Sequence, residues 1–567
     1  MSSSTTRTRR QPVEKQQKQQ RNGDVSTGAR DKKSLVFEWP EMPRWEMRCY
    51  YAFIVGLFAY CLYVIVDVSR QYDWAETRGR WEDVDLPWLG LTRRDNSDHE
   101  WTFYYPVCLK LAPAMLLHCV VFAALHRLLD DNRWNVARDI FLTVFWMAVC
   151  AALFGWLTVS LSVVSGLCLF CLGRLASTEL FTQLRHAGRV GRWIYVFLAE
   201  WKMILWLATA PSLWVCLHHP VRISAYPFET LLLLSYTLIS YLSYNIEYLD
   251  AEEGAREPLA QGLLNMFYYA FYLPYSTTVI VLYSAFKRQR AERSEIVRDW
   301  AAICLYGARV AFWFCACCAL PYFLYFKAIV MDIRYLEQVP LDRLCVLGMV
   351  LGQYFHLKYV VIFGMPSVFA RADGMQPKPG PICVTRVMLY SKVWRNFDRG
   401  LYDFFKTYIF LPICRPSFSV SRKLFGVFLS YAFVLLWHGV DKRHLIWVGL
   451  NIVEIFLETT AKSVYVSWHG FRHWRQRRIS DQWFRRLLAT TFWVPYALGL
   501  YSNFYFLGGL QAGHTFVRRF FLAETLRVTW PHLLISSIGY VNAMVSMEVE
   551  RLLTAKQRAT EAAKKNE

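Results

Sequence analysis

"YYAFIVGLFAYCLYVIV", residues 50–66, runs for seventeen positions without a charge or a proline. As a helix rising about 1.5 Å per residue, it covers most of a hydrocarbon core about 30 Å thick. Its side chains do not alternate polar with apolar, as the wall of a membrane barrel would. Only helices and closed barrels satisfy the backbone in lipid, so the stretch reads as a transmembrane helix.

Comparable runs follow along the chain: "FYYPVCLKLAPAMLLHCVVFAAL" (103–125), residues 194–217, 229–244, 308–326 and 532–547. Residues 140–173 are long enough for two spans. The expected fold is all-α: a polytopic membrane protein with about ten to twelve membrane-embedded helices, re-entrant segments included. Composition agrees. Of 567 residues, 55% are hydrophobic and 17% aromatic, while 19% are charged, against roughly 25% charged in soluble domains. Trp and Tyr gather at the flanks of the runs, as they do at membrane interfaces.

The net charge of +20 does not point to nucleic acid, because of where the charges lie. Residues 1–33 carry nine Lys and Arg in a Ser-, Thr- and Gln-rich sequence, and residues 1–44 read as a disordered basic arm. The positive-inside rule puts this arm in the cytosol, and no apolar segment before residue 50 suggests a cleaved signal peptide. A second basic stretch, "FRHWRQRRISDQWFRR" (471–486), fits either an interfacial helix on anionic lipid heads or a patch that attracts a polyanion such as coenzyme A. Near the other end, Lys564 and Lys565 in "KKNE" resemble a cytosolic dilysine retrieval signal of the endoplasmic reticulum. Residues 551–567 are then a cytosolic tail, and the number of full spans is even. Most of the fifteen cysteines sit inside apolar runs such as "CLFC" (168–171) and "CACC" (315–318). With no second ligand pair at finger-like spacing, they read as small packing residues.

Ionisable groups at membrane depth carry the functional expectation. His438 ends the run "SYAFVLLWHGV" (430–440), and His356 lies beside Lys358 in "GQYFHLKYVVIFG" (352–364). His356 reads as a satisfied structural residue, and His126 and His473, in charged segments, as solvated ones. For His438 a general base stands beside a structural role, since a neutral imidazole is what proton abstraction requires. Forty residues upstream, "YSKVWRNFDRGLYDFFKTYIFLP" (390–412) holds Asp398 between Arg395 and Arg399. Asp398 either caps a short helix or pairs with a substrate amine or with the catalytic ring.

These two segments together resemble the membrane-bound O-acyltransferase (MBOAT) family, and within it the hedgehog acyltransferase branch with its insect forms. Trp394, Phe397, Asp398, Gly400, Leu401 and Phe404 match the first signature, and Trp437, His438 and Gly439 the second. Asn451 and Glu458 match the helix that follows; Ser502, Asn503, Phe506 and the pair Gly508–Gly509 match a late element. Cys383, in "PICVTRV", stands where the family has a haem-ligating cysteine. The match is strong over about 340–510 and weaker across 45–550. One departure is "YLPYSTTVIVLYSAF" (272–286), which keeps Pro274 but has Thr and Val where relatives often have Gly-Pro.

The resemblance implies an MBOAT domain over 45–550 and protein-cysteine N-palmitoyltransferase activity in the endoplasmic-reticulum membrane. It implies His438 and Asp398 as catalytic residues, and Trp394, Arg395 and Asn503 as contacts of palmitoyl-CoA. It also implies haem b on the Cys383 thiolate. The partners would be acyl-CoA, membrane lipid and a secreted signalling protein with an N-terminal cysteine, met by a monomer with no nucleic acid. Two alternatives stay open within the family: an O-acyltransferase acting on a lipid or a serine hydroxyl, and a catalytically silent interaction protein. A transporter is disfavoured, because no inverted repeat is found.

Overall fold

The computed structural model describes residues 39–72, 81–86, 91–129, 132–224, 226–383, 386, 388–415, 417, 419–521 and 528–566. Most of the expected basic arm, residues 1–38, lies outside the described residues, as do the side chains of Lys564 and Lys565. Among the described residues the architecture is helical, apart from one antiparallel ribbon that pairs Trp81–Leu86 with Leu91–Asp95.

Among the described residues, seven helices are long and apolar enough to cross a membrane. They are Arg44–Gln71, His99–Leu128, Asn135–Phe154, Trp156–Ala176, Trp300–Tyr322, Leu341–Ala372 and Val420–His438. An eighth is obtained if Gly188–Glu200 and Met203–His218, bent by 55°, form one broken span. The outer faces of the spans carry large apolar side chains, such as Val55, Leu62, Val120 and Phe312, that an aqueous surface would not favour.

The expected segment 229–244 is also helical, within Pro227–Asp250, but it is too rich in hydroxyls to count among the seven. Its position explains the composition. Neighbouring helices enclose it, and its hydroxyls bond to theirs: Thr230 to Thr158 at 3.0 Å, Thr237 to Ser162 at 2.8 Å, Ser243 to Tyr408 at 2.7 Å. A helix surrounded by protein needs no lipid-facing side. Residues 532–547 likewise begin the long helix Trp530–Asn566, which turns polar in its second half.

The segment around Pro274 does break without a Gly-Pro pair. Helix Leu259–Phe271 stops, an irregular buried stretch runs over 272–282, and helix Tyr283–Glu292 resumes. Non-helical backbone at this depth is tolerated because protein surrounds it. Tyr283 N donates to Ser243 Oγ at 3.0 Å, and Thr278 Oγ1 donates to the Ile362 carbonyl at 3.2 Å.

The basic stretch 471–486 forms parts of helices His469–Arg478 and Asp481–Thr491, and several of its arginines point inward rather than to lipid or a cofactor. Arg485, 0% exposed, bonds Glu548 at 3.0 Å and the carbonyls of Met544 and Pro40. Arg486 holds Glu46 at 2.5 Å, and Arg475 is paired with Asp481. The arginines therefore tie the first span to the last helix. His473 is exposed, as expected; His126 is not solvated but is held between the Phe122 carbonyl and Arg293.

Candidate active site

Helix Val420–His438 starts where Ser419 accepts a hydrogen bond from Arg422 N, and it ends at the histidine for a backbone reason. Gly439 has φ +106, a conformation that side chains other than glycine's resist. The chain then turns, and Asp441 caps the next helix, Lys442–Ser467, by accepting from His444 N at 3.0 Å. His438 is thus the last residue of its helix, at the carbonyl end. The partial negative charge there stabilises any positive charge that builds on the ring.

The ring is half-buried and stands edge-on to Trp447 and Phe506, with centroids at 5.3 and 5.2 Å. Trp447 and Phe506 stack on each other at 4.3 Å. No hydrogen bond to either His438 ring nitrogen is present among the described residues, which leaves both available to a bound molecule. Behind the turn, His218 donates from Nε2 to the Leu436 carbonyl at 2.9 Å. That contact steadies the last turn of the histidine helix.

Asp398 is the N-cap of helix Arg399–Phe405, accepting from Leu401 N at 2.9 Å. The capping expectation is therefore met, and the same carboxylate also faces the cavity described below. Phe397 beside it stacks on Phe355 at 5.2 Å, and Phe355 meets Phe506 edge-on at 5.7 Å. A continuous aromatic wall so joins the aspartate segment to the histidine. Gly400 lets that segment approach closely: a Cβ there would lie 2.1 Å from the Ile280 carbonyl of the irregular stretch.

Helix Tyr390–Phe397 presents Trp394, whose indole N–H donates to Asn451 Oδ1 at 2.9 Å. Asn451 in turn donates to the Trp447 carbonyl, and Trp394 lies 5.7 Å from the Trp447 ring. Arg395 rests over the Tyr402 ring at 5.7 Å.

One cavity of ≈ 540 Å³ collects these groups. His438, Asp398, Trp394, Arg395 and Asn503 all line it, among walls that are mainly aliphatic and aromatic. Such a space suits a long apolar chain with a reactive polar end. His356 is absent from the lining residues; it is buried, and its Nδ1 has no hydrogen-bond partner among the described residues. Lys358 is fully engaged by Asp98 and Glu100, each at 2.8 Å.

Cys383 also stands apart from the cavity lining. Its sulfur lies 3.7 Å from Gln353 Oε1. Haem ligation by this cysteine has no support from its surroundings among the described residues, and no step is routed through a haem.

Sequence reading overlooked Glu454, which is 2% exposed and lines the cavity with Oε2 unpartnered among the described residues. Asn451, Glu454 and Glu458 recur at spacings of three and four, which puts them on one face of helix Lys442–Ser467, but the other charged and hydroxyl residues of that helix hide the face in the sequence.

Over 298 residues, 51% of this chain and 57% of the relative, the sequence is 31% identical to protein-cysteine N-palmitoyltransferase Rasp of Drosophila melanogaster. The aligned part thus spans little more than half of the fly protein. It is 24% identical to protein-cysteine N-palmitoyltransferase HHAT of Mus musculus over 515 residues, 88% of this chain and 96% of the mouse protein. A more distant match, 20% over 271 residues (42% of this chain, 46% of the relative), is the membrane-bound O-acyltransferase GUP1 of Candida tropicalis. The model of the MBOAT, membrane-bound O-acyltransferase, family matches residues 149–502. That region takes in the broken helix, the capping aspartate and the histidine turn, and the chain belongs to the membrane-bound O-acyltransferase family.

Proposed function

We propose that this chain transfers a palmitoyl group from palmitoyl-CoA to the amine of an N-terminal cysteine on a secreted, hedgehog-type signalling protein, in the endoplasmic-reticulum membrane. The observation that carries this reading is the convergence of His438, Asp398, Trp394, Arg395 and Asn503 on a single apolar cavity. The similarity to the mouse palmitoyltransferase, which extends over most of both chains, supports the choice of substrate.

The reaction forms an amide and breaks a thioester. An N-terminal amine is largely protonated near neutral pH, since its pKa is about 8. The ammonium first releases one proton to solvent. The free amine then attacks the acyl carbonyl, and His438 takes the second proton from the attacking nitrogen. The ring passes it to the departing coenzyme A thiolate as the thioester bond breaks, leaving the amide, the free thiol and one released proton. Asp398 faces the same space and orients the incoming ammonium, which raises the rate by positioning. Arg395 and Asn503 supply donors for the polar part of the acyl donor. The aromatic wall sheathes the chain, whose burial contributes about 0.8 kcal/mol per CH₂.

The two roles of Asp398 separate by substitution. Asp398→Asn keeps an oxygen able to cap Leu401 N, so its melting temperature should stay near that of the wild type while turnover falls at least about tenfold. Asp398→Ala should lose the cap as well, at a cost of about 1 kcal/mol. Full turnover in Asp398→Asn, measured beside its melting curve, would reduce the residue to a cap.

The proposed activity is tested by intact-mass analysis. The purified protein is incubated with palmitoyl-CoA and a hedgehog-type peptide that begins with cysteine. A mass gain of one palmitoyl group on the peptide's amine is expected, and none on a peptide whose N-terminus is acetylated. Acylation of a lysophospholipid or of a serine hydroxyl, with the peptide untouched, would transfer the assignment to another branch of the family.

A further inference from the structure

A second cavity, ≈ 370 Å³, shares no lining residue with the first. It opens between the start of helix Asn135–Phe154, helix Leu259–Phe271 and helix Tyr283–Glu292, and Arg293 on its wall reaches His126 at the end of helix His99–Leu128. Four cations line it: Arg138, Lys287, Arg290 and Arg293.

Two of the four are neutralised. Arg290 pairs with Asp139, and Lys287 pairs with Glu257 at 2.9 Å. Arg138 and Arg293 have no carboxylate partner among the described residues. Arg138 is 8% exposed, and its terminal nitrogens bond only neutral oxygens, those of the Leu129 carbonyl and the Asn135 side chain. Its Nε is buried without a partner. Arg293 donates to His126 Nε2, while the other nitrogen of that ring meets the Phe122 carbonyl at 2.8 Å. The ring that receives Arg293 is therefore neutral, with its proton on Nδ1. The guanidiniums are also fixed by ring stacking, Arg290 over Tyr268 at 4.2 Å and Arg293 over Phe122 at 5.0 Å.

A buried cation without a counter-charge is costly, and crowding it with like charges raises the cost. Fixed guanidiniums around an open space are what a phosphoryl group requires. Basic pockets between membrane helices commonly take lipid head groups. Crossing the membrane along Arg44–Gln71 and back along His99–Leu128 returns the chain to the face where it entered. This is the face that the basic arm marks as cytosolic, where anionic lipids concentrate.

We propose that this cavity is a binding site for a phosphoryl-bearing anion, separate from the acyl-transfer cavity, with Arg138 and Arg293 supplying the uncompensated charge. The anion comes either from an anionic phospholipid head group or from a soluble phosphate compound, and Asn135 and Asn265 add neutral polar groups to the walls.

The test uses the full-length protein purified in neutral detergent, with phosphatidylinositol 4-phosphate, phosphatidylcholine or inorganic pyrophosphate added. Phosphatidylinositol 4-phosphate should raise the melting temperature by about 2 °C or more in a saturable way, whereas phosphatidylcholine should not. Arg293→Gln and Arg138→Gln/Arg293→Gln should lose at least half of that rise. If Arg138 is needed for folding, Lys287→Gln at the exposed rim provides a milder variant with a smaller loss. A rise with pyrophosphate as well assigns the site to the phosphate group alone; a rise only with the lipid assigns it to a head group anchored by its acyl chains. Equal shifts with both lipids, or a full shift in Arg293→Gln, would overturn the proposal.

Discussion

His438→Ala should lower acyl transfer by about 10²–10⁴-fold, the range that a positioned general base supplies. Folding should survive, because the ring makes edge contacts with Trp447 and Phe506 but no hydrogen bond among the described residues. Single-turnover rates with saturating palmitoyl-CoA, measured beside a melting curve, separate the two effects. Retention of more than about a tenth of the wild-type rate would remove the ring from the proton path. His438→Gln is a useful companion, since it keeps a hydrogen-bonding side chain without an ionisable ring.

Gly400→Ala is expected to be nearly as damaging, through geometry alone. The new methyl would meet the Ile280 carbonyl at 2.1 Å, and a backbone atom cannot swing aside as a flexible side chain does. Either the irregular stretch 272–282 or helix Arg399–Phe405 must move, and Asp398 moves with the helix it caps. A displacement of about 1 Å at a positioning group costs on the order of 10²-fold in rate. The expected result is a folded protein, normal by size-exclusion profile, with turnover reduced by about that factor. Wild-type turnover would mean that the aspartate's exact placement does not limit the reaction.

Much of the site was legible because its residues are chemically conspicuous. A histidine closing an apolar run and an aspartate in an aromatic segment violate the local hydropathy, and both line one cavity. The glycine after the histidine, which the positive φ requires, was part of the same three-letter signature. Glu454 was not singled out, because one carboxylate on a helix that also carries Glu458 and Lys462 looks like surface charge. Only the packing of Tyr390, Tyr431 and Gly499 near it reveals the burial. Helix Pro227–Asp250 illustrates the limit of hydropathy. It reads as a weak span, yet its hydroxyls are matched to partners on other helices that no local window can see. Arg485 and Arg486 fail in the same way: their carboxylate partners Glu548 and Glu46 are far away in the chain.

Those long-range arginine pairs bear on how the protein is made. Arg486 must wait for 440 residues to be synthesised after Glu46 before their pair can close, and the Trp39–Glu550 bond spans 511 positions. At about 5 residues per second, roughly 100 s separates the emergence of the first span from that of its last partner. Through that interval the first span carries a carboxylate, Glu46, with its counter-charge still untranslated. Co-translational quality control would therefore meet this chain in an open form. Truncations that remove the final helix should be recognised as unassembled even though the acyl-transfer residues are already in place.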